Sequence, residues 1–151
     1  MKYQLKYKKG NIIKLADEGN FDLLINCCDC FGSFNTDISK EIIKRWPESK
    51  IIDQRTKKGD VHKLGSYSIA SVMTRSGSSL LIINMYSAYK PSNDFKLIHL
   101  EQGLLRLQEI MRANVSMVIS DDICKEEDWS DVESSLQKNF TKLDLTIVIN
   151  K

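Results

Sequence analysis

The sequence has little of what marks disordered, fibrous or membrane-spanning chains. It contains two prolines in 151 residues, no low-complexity tract, and no apolar run approaching the 18 residues of a membrane-spanning helix. Residues 1–4 open no apolar signal segment. These absences predict a single domain over residues 1–151, monomeric and cytoplasmic (in the host cytoplasm if the source is viral), with no membrane partner.

An excess of charge of one sign is also absent. The 22 basic and 20 acidic residues leave a formal net charge of +2, whereas a protein that binds nucleic acid carries a distinctly basic face. We interpret the short lysine clusters, at Lys6, Lys8 and Lys9 and at Lys57 and Lys58, as solvated edges. We therefore expect no nucleic-acid duplex as a partner.

Side chains that bind transition metals are few. The chain has two histidines, His62 and His99, and four cysteines, three of which crowd one strand end at Cys27, Cys28 and Cys30. Neighbouring side chains on a strand point to opposite faces, and this spacing matches no zinc site. We expect buried, reduced thiols and neither a metal nor another cofactor. A redox or nucleophilic thiol is the alternative.

What the sequence does contain is a regular alternation of strand and helix patterns. The predicted strands cover residues 3–7, 21–26, 67–73, 80–86, 117–119 and 145–149, with a hairpin turn at 75–78. The predicted helices cover residues 35–46, 48–57 and 97–111, and a last helix is opened by a capping box of Ser130 and Glu133. This order predicts an α/β fold of three α/β/α layers, with a mixed, mostly parallel sheet of about six strands. Ligands bind such sheets beyond the carboxyl ends of the strands, here after Asn26, Tyr86 and Ser120.

The most informative segment follows the second predicted strand. Residues 29–36, here called the first loop, lead into a helix with apolar positions at Ile38 and Trp46. Unpaired N–H groups and the helix dipole make a strand–loop–helix turn of this kind suitable for an anion. The segment therefore indicates a nucleotide-binding ancestry.

The chain resembles a macro domain in its order of elements and in four local matches. The branch it resembles comprises short proteins of the ADP-ribose-1''-phosphate phosphatase and ADP-ribosyl-glutamate hydrolase type, including viral and phage members. The matching segments are residues 9–13, 26–47, 81–86 and 128–132. The resemblance implies a macro-domain fold that recognises ADP-ribose, a phosphorylated derivative or an ADP-ribosylated protein, and a 1''-phosphate-removing activity. The alternative is a catalytically inactive module that binds a protein or another ligand.

The resemblance also implies a set of site residues. Asn11 and the backbone of Ile12 would contact adenine, although Gly10 and Asn11 could equally form a simple turn. The remaining ligand-binding candidates are Asp29, Gly32, Ser33, Phe34, Asn35, Thr36, Tyr86, Ser120 and Asp121. The candidates for placing a water against a terminal phosphate are Asn26, Asp37 and Asn84, with Asp29 and His99 as further possibilities. Asp37 has an alternative role as a partner of the helix dipole, and Tyr86 as a packing residue.

Both ligand-side loops depart from the family pattern. Asn35, Thr36 and Asp37 stand where the family has a glycine cluster. The second loop, residues 120–128, contains no glycine and sets five carboxylates against one lysine, so it repels phosphate unless a cation intervenes. A solvated acidic loop and a divalent-cation site are both compatible with this composition. The lysine of the family's hydrolase branch has no counterpart at the end of the central strand, since the next lysine is Lys90.

Overall fold

A computed structural model of the protein describes residues 2–92, 94–111 and 114–149. Strands and helices alternate along the chain as β1 (Lys6–Lys9), α1 (Ile12–Asp17), β2 (Leu23–Asp29), α2 (Asp37–Arg45), α3 (Glu48–Asp53), β3 (Tyr67–Met73), β4 (Ser79–Ala88), α4 (Leu97–Ile110), β5 (Ser116–Ser120), α5 (Glu126–Asn139) and β6 (Asp144–Ile149). Two short 3-10 turns, Val61–Lys63 and Asp121–Ile123, precede β3 and α5.

The strands form one six-stranded sheet in the order β1-β6-β5-β2-β4-β3. Four neighbouring pairs are parallel, and β3 runs antiparallel to β4 as the predicted hairpin. The parallel strands bring the chain segments that follow β2, β4 and β5 to one edge of the sheet. The predicted mixed, mostly parallel sheet is confirmed.

Helices cover both faces of the sheet, because successive apolar residues of the central strands point in opposite directions. On β2, Leu23 and Ile25 pack with α4 and α5, whereas Leu24 packs with α1 and α2. The leucines of α4 at the predicted spacing are fully buried in the first of these layers, at Leu100, Leu104 and Leu107. The predicted three-layer α/β/α fold is therefore confirmed.

Several sequence-based boundaries differ from the structure, and the strand predicted at 21–26 runs over Leu23–Asp29. The first strand runs over Lys6–Lys9 rather than 3–7, and the helix predicted at 48–57 ends at Asp53. Helix α5 begins at Glu126, so the prediction that Ser130 opens it is wrong. Three acidic residues in the first turn of α5 favour the earlier start, because they lie at the positive end of the helix dipole.

Within the described part of the chain, no helix has both the length and the apolar character needed to cross a membrane.

Candidate functional site

A cleft of about 460 Å³ opens beyond the carboxyl ends of β2 and β4 and beside the second loop. Of the residues that the sequence analysis assigned to ligand binding, four line it: Asp29, Phe34, Asn35 and Thr36. The end of β4, the segment after it and the second loop contribute the opposite walls, which include Ser87, Lys90, Ser92, Asp94, Phe95, Lys96, Asp122, Ile123, Cys124, Lys125 and Asp128.

The first loop is organised around the carboxylate of Asp29, which is 6% exposed. Its Oδ1 accepts hydrogen bonds from the backbone N–H of Phe31 at 2.8 Å and of Ser33 at 3.4 Å, and its Oδ2 accepts from the hydroxyl of Ser33. The register of β2 against β4 shifts between Cys28 and Asp29. The sequence predicted that N–H groups of this loop would be available to a bound anion. Those of Phe31 and Ser33 instead donate to the carboxylate of Asp29.

Helix α2 begins at the end of this loop. The Oγ1 of Thr36 accepts from the backbone N–H of Ser39 at 3.1 Å, which makes Thr36 the N-cap of the helix. Asp37 is exposed in the first turn of α2 and is not among the described residues that line the cleft. Its position agrees with the alternative role as a partner of the helix dipole.

The segment after β4 is held by its own carboxylate and by the first loop. The Oδ2 of Asp94 accepts from the backbone N–H groups of Tyr89 at 3.1 Å and Lys90 at 2.9 Å, and these bonds hold the pKa of Asp94 below its ordinary value, that from Lys90 contributing most. Across the cleft, the side-chain amide of Asn35 donates to the hydroxyl of Ser92 at 3.1 Å. The two walls are therefore bridged by direct side-chain contact.

The second loop presents Asp122, Lys125 and Asp128 to the cleft. The two predicted ligand-binding residues of this loop are placed differently: Ser120 is fully buried and its hydroxyl accepts from the N–H of Asp122, and Asp121 lies in the 3-10 turn. Neither is among the described residues that line the cleft.

The electrostatic character of the cleft is mixed. Its described lining carries three lysines, Lys90, Lys96 and Lys125, against four aspartates. None of these lysines was predicted as a ligand residue, and two of them lie in the segment after β4, where no site residue was predicted. The sequence did contain a signal for Lys90 and Lys96. Both lie between the end of a predicted strand and the start of a predicted helix, and such a connection runs along the edge of the sheet where ligands bind.

Asn26 and Asn84, predicted to place a catalytic water, are fully buried and hydrogen-bonded to each other. Asn26 donates to the Oδ1 of Asn84 at 3.2 Å, and Ser49 also donates to that oxygen at 2.7 Å. Ser39 donates to the Oδ1 of Asn26 at 2.8 Å. These amides therefore tie β2 and β4 to α2 and α3, and neither is among the described residues that line the cleft.

Three further residues that were predicted to bind the ligand have structural roles in the fold. The ring of Tyr86 is 1% exposed, and its hydroxyl donates to the Oδ1 of Asp53 at 2.6 Å, so the ring has no open face for stacking. The side-chain oxygen of Asn11 caps α1 by accepting from the N–H groups of Ile13 and Lys14, and Ile12 is buried beneath it.

Two other members of the predicted set, Gly32 and Ser33, belong to the first loop. They are absent from the described lining of the cleft, and Ser33 acts within the loop as a donor to Asp29.

The cysteines near the cleft are free and poorly ionised. Cys27, Cys28 and Cys124 are among the lining residues, and none of the four cysteines is in a disulfide. Burial raises the pKa of Cys27 to about 12 and that of Cys124 to about 11, and it raises the pKa of Cys28 well above its ordinary value. Since the thiolate is the nucleophile, these raised pKa values disfavour thiol catalysis at neutral pH.

In the described residues, no group of three or more histidine, cysteine or acidic side chains could hold a metal ion.

A phage protein is similar to this chain in sequence. No family model matches the sequence. Over 150 residues, 95% of each chain, the sequence is 27% identical to the uncharacterized 17.5 kDa protein of the tk-vs intergenic region of Enterobacteria phage T4.

Solved macrodomains share this architecture. The macrodomain of Mycobacterium tuberculosis DarG superposes with a TM-score of 0.71 at 22% identity, covering 97% of both chains. A macrodomain protein from Streptomyces coelicolor gives 0.66 at 13% identity, over 96% of this chain and 98% of that one. Thermosipho africanus DarTG in complex with ADP-ribose gives 0.72 at 11% identity, over 95% of this chain and 41% of that one. The protein therefore has a macro-domain fold.

Proposed function

We propose that this protein binds ADP-ribose, or a phosphorylated derivative of it, in the cleft between the first and second loops. The observation that carries the proposal is a cleft of about 460 Å³ beyond the strand ends of a macro-domain fold. Open α/β sheets bind ligands at this edge, and the volume lies within the usual range of small-molecule sites. The T. africanus protein, which has the same fold, was solved with ADP-ribose. An ADP-ribosylated protein would present the same group to this cleft.

The charges of the cleft favour one orientation of such a ligand. The wall after β4 carries Lys90 and Lys96 against the single Asp94, whereas the second loop carries Asp122 and Asp128 against the single Lys125. Two like unit charges about 5 Å apart repel by roughly 3 kcal/mol at an effective dielectric constant near 20. We therefore assign the diphosphate to the lysine wall and the ribose hydroxyls, which can donate to carboxylates, to the aspartate wall.

Calorimetric titration with ADP-ribose tests binding directly. We expect heat with wild-type protein, a weaker signal with the Lys90→Ala/Lys96→Ala variant, and no change with Lys138→Ala, which removes an exposed lysine from α5. A ligand at a hundredfold excess over its dissociation constant stabilises the fold by about 2.7 kcal/mol, so a melting experiment is an independent readout. No heat and no shift of the melting temperature at millimolar ADP-ribose would refute the proposal.

Removal of a 1''-phosphate is the narrower activity to test in the same cleft. A hydrolytic base must come within hydrogen-bond reach of the attacking water. Asp29 is the buried carboxylate of the first loop, but both of its oxygens already accept hydrogen bonds from that loop. This engagement favours a second candidate function, recognition without turnover.

Phosphate release from ADP-ribose-1''-phosphate distinguishes the two functions. A module without catalysis binds this compound and releases no phosphate above the rate without protein. A phosphatase releases phosphate, and the Asp29→Asn variant then loses that activity while calorimetry still detects the bound compound.

A further inference from the structure

Next to the first loop lies a group of residues outside the described lining of the cleft, of which Asp53 and Lys63 are buried and the other two half-buried. It consists of Asp53, Thr56, Gly59 and Lys63, and we call it the support cluster. Its members come from the end of α3, the segment after it and the 3-10 turn before β3. The cluster contacts the backbone of the first loop at the carbonyl of Cys30, and none of its members is among the described residues that line the cleft.

Lys63 is the central residue of this cluster. It is 8% exposed, and its ammonium donates to the backbone carbonyl of Cys30 at 3.2 Å and to the hydroxyl of Thr56 at 2.6 Å. The same ammonium lies 4.4 Å from the centroid of the Tyr86 ring, within the range of a cation–π contact. A buried lysine thus holds the carbonyl of a residue at the start of the ligand-facing loop.

Asp53 supplies the negative charge opposite Lys63. Its Oδ1 lies 3.9 Å from the Lys63 ammonium and accepts a hydrogen bond from Tyr86. Its Oδ2 lies so close to Gly32 that a Cβ on that residue would collide with it. Gly32 also has a φ of +68°, so both its backbone conformation and the approach of the carboxylate require glycine.

Gly59 makes a second connection to the same carbonyl. Its N–H donates to the oxygen of Cys30 at 2.7 Å, and its own carbonyl accepts from the hydroxyl of Tyr89 at 3.0 Å. A Cβ on Gly59 would lie 3.0 Å from the ring of Phe31, which itself stands edge-on to the Tyr89 ring at 5.2 Å. Two donors from the support cluster therefore converge on the backbone of the first loop.

We propose that Lys63 is a positioning residue that holds the first loop in the conformation it presents to the cleft. Its hydrogen bond to the Cys30 carbonyl fixes the position of the loop backbone that carries Asp29, Asn35 and Thr36, the loop residues that line the cleft. The effect on affinity rests on the proposed function, whereas the effect on the loop is a property of the free protein. Loss of Lys63 alone also leaves Asp53 buried without its counter-charge, which destabilises the whole fold.

A pair of variants separates positioning from general stability. Lys63→Met removes the ammonium, and Lys63→Met/Asp53→Asn removes both charges, so that the second variant carries no unpaired buried charge. Lys57→Met, at an exposed position six residues earlier, is the matched control. Hydrogen exchange of the Phe31 and Ser33 amides reports on the loop, because both donate to Asp29 when the loop is in place.

We expect both Lys63 variants to exchange these two amides at least tenfold faster than wild type, with the control unchanged. The double variant should melt closer to wild type than the single one and still bind ADP-ribose about tenfold more weakly. Wild-type protection of Phe31 and Ser33 in the double variant would overturn the proposal. If wild-type protein fails to bind ADP-ribose but the exchange difference is present, the proposed function fails and the positioning role of Lys63 stands.

Discussion

The carboxylate of Asp29 occupies the position in the first loop where a bound anion was expected, and it accepts the hydrogen bonds of the loop. Hydrogen bonds to a charged group contribute roughly 1.5–3 kcal/mol each, and the carboxylate of Asp29 accepts three from the two residues Phe31 and Ser33. Asp29 is therefore a structural residue of the loop as well as a cleft residue.

Replacing this carboxylate should destabilise the protein. We expect Asp29→Ala to lower the free energy of unfolding by about 3 kcal/mol, because it leaves the loop N–H groups without their acceptor. Asp37→Ala, at an exposed position of the first turn of α2, should cost less than about 1 kcal/mol. Urea denaturation measures both values. Equal losses in the two variants would contradict a special role for Asp29.

The cysteines give a second prediction at the residue scale. Cys28 is 7% exposed and Cys30 is fully buried, and burial raises the pKa of both thiols. Because iodoacetamide reacts with the thiolate, both should resist alkylation in native protein at pH 7.5 and react after denaturation. Mass spectrometry of digested protein measures this, and rapid native modification of either residue would revive the thiol alternative.

At the scale of elements, the cap of α2 joins the first loop to the helix. Thr36→Ala should cost about 1 kcal/mol of unfolding free energy, because the N–H of Ser39 loses its side-chain acceptor. Thr36→Ser keeps a hydroxyl at this position and serves as the control. Chemical denaturation of the three proteins tests the prediction, which requires the serine variant to remain near wild type.

An ion pair between α1 and α2 makes stability depend on pH. Arg45 donates to both oxygens of Asp17 at 2.8 and 2.9 Å, and the backbone N–H of Arg75 donates to the same carboxylate. Burial by itself would raise the pKa of Asp17, but these hydrogen bonds and the charges of the two arginines outweigh it, and the pKa lies below its ordinary value of 3.8. The contribution to stability is therefore complete above pH 3.8 and is lost as the pH falls through the lower folded-state pKa.

Comparison with Asp17→Asn isolates this contribution. We expect the variant to be about 2 kcal/mol less stable at pH 7, with a difference that shrinks as the solution is acidified below pH 3.8. Denaturation curves at a series of pH values measure it. A difference that stays constant down to pH 2 would show that the ionised carboxylate is not responsible.

Most elements could be predicted because their apolar spacing is strong, and the exceptions have local causes. The apolar residues at helical spacing on α4 and the continuous apolar segments of β2 and β4 are clear signals of a helix and of two buried strands. Helix α1 was not predicted, because Gly10 and Asn11 look like a turn after β1, whereas Asn11 is in fact the cap of a six-residue helix. A single residue that both ends one element and starts the next gives no separate signal in the sequence.

At the scale of the whole molecule, two adjacent leucines of α4 test the layered core. Leu104 is fully buried against the sheet, whereas Leu105 is 46% exposed on the other side of the helix. We expect Leu104→Ala to cost about 2–5 kcal/mol and Leu105→Ala to stay within about 0.5 kcal/mol of wild type. Thermal or urea denaturation measures both. Similar costs at the two positions would contradict the assignment of the inner face.

The location of the candidate site could be predicted from the sequence, but many of its side chains could not. Strand ends that share a sheet edge follow from parallel topology, and Asp29, Asn35 and Thr36 do face the cleft. Asn26, three residues before Asp29 on the same strand, instead points into a buried amide network. That difference depends on the register shift after Cys28 and on hydrogen bonds from distant segments, which a single sequence does not encode in its local pattern.

The sheet places its first strand beside its last. Strand β1 pairs in parallel with β6, so Lys6 lies opposite Thr146 across nearly the whole length of the chain. During synthesis on the ribosome, β1 has no neighbour until the final strand has emerged, and contacts of such sequence separation form slowly. Strand β1 can therefore join the sheet only after β6 has been synthesised, and until then the lysine-rich segment Lys6–Lys9 has no strand to pair with.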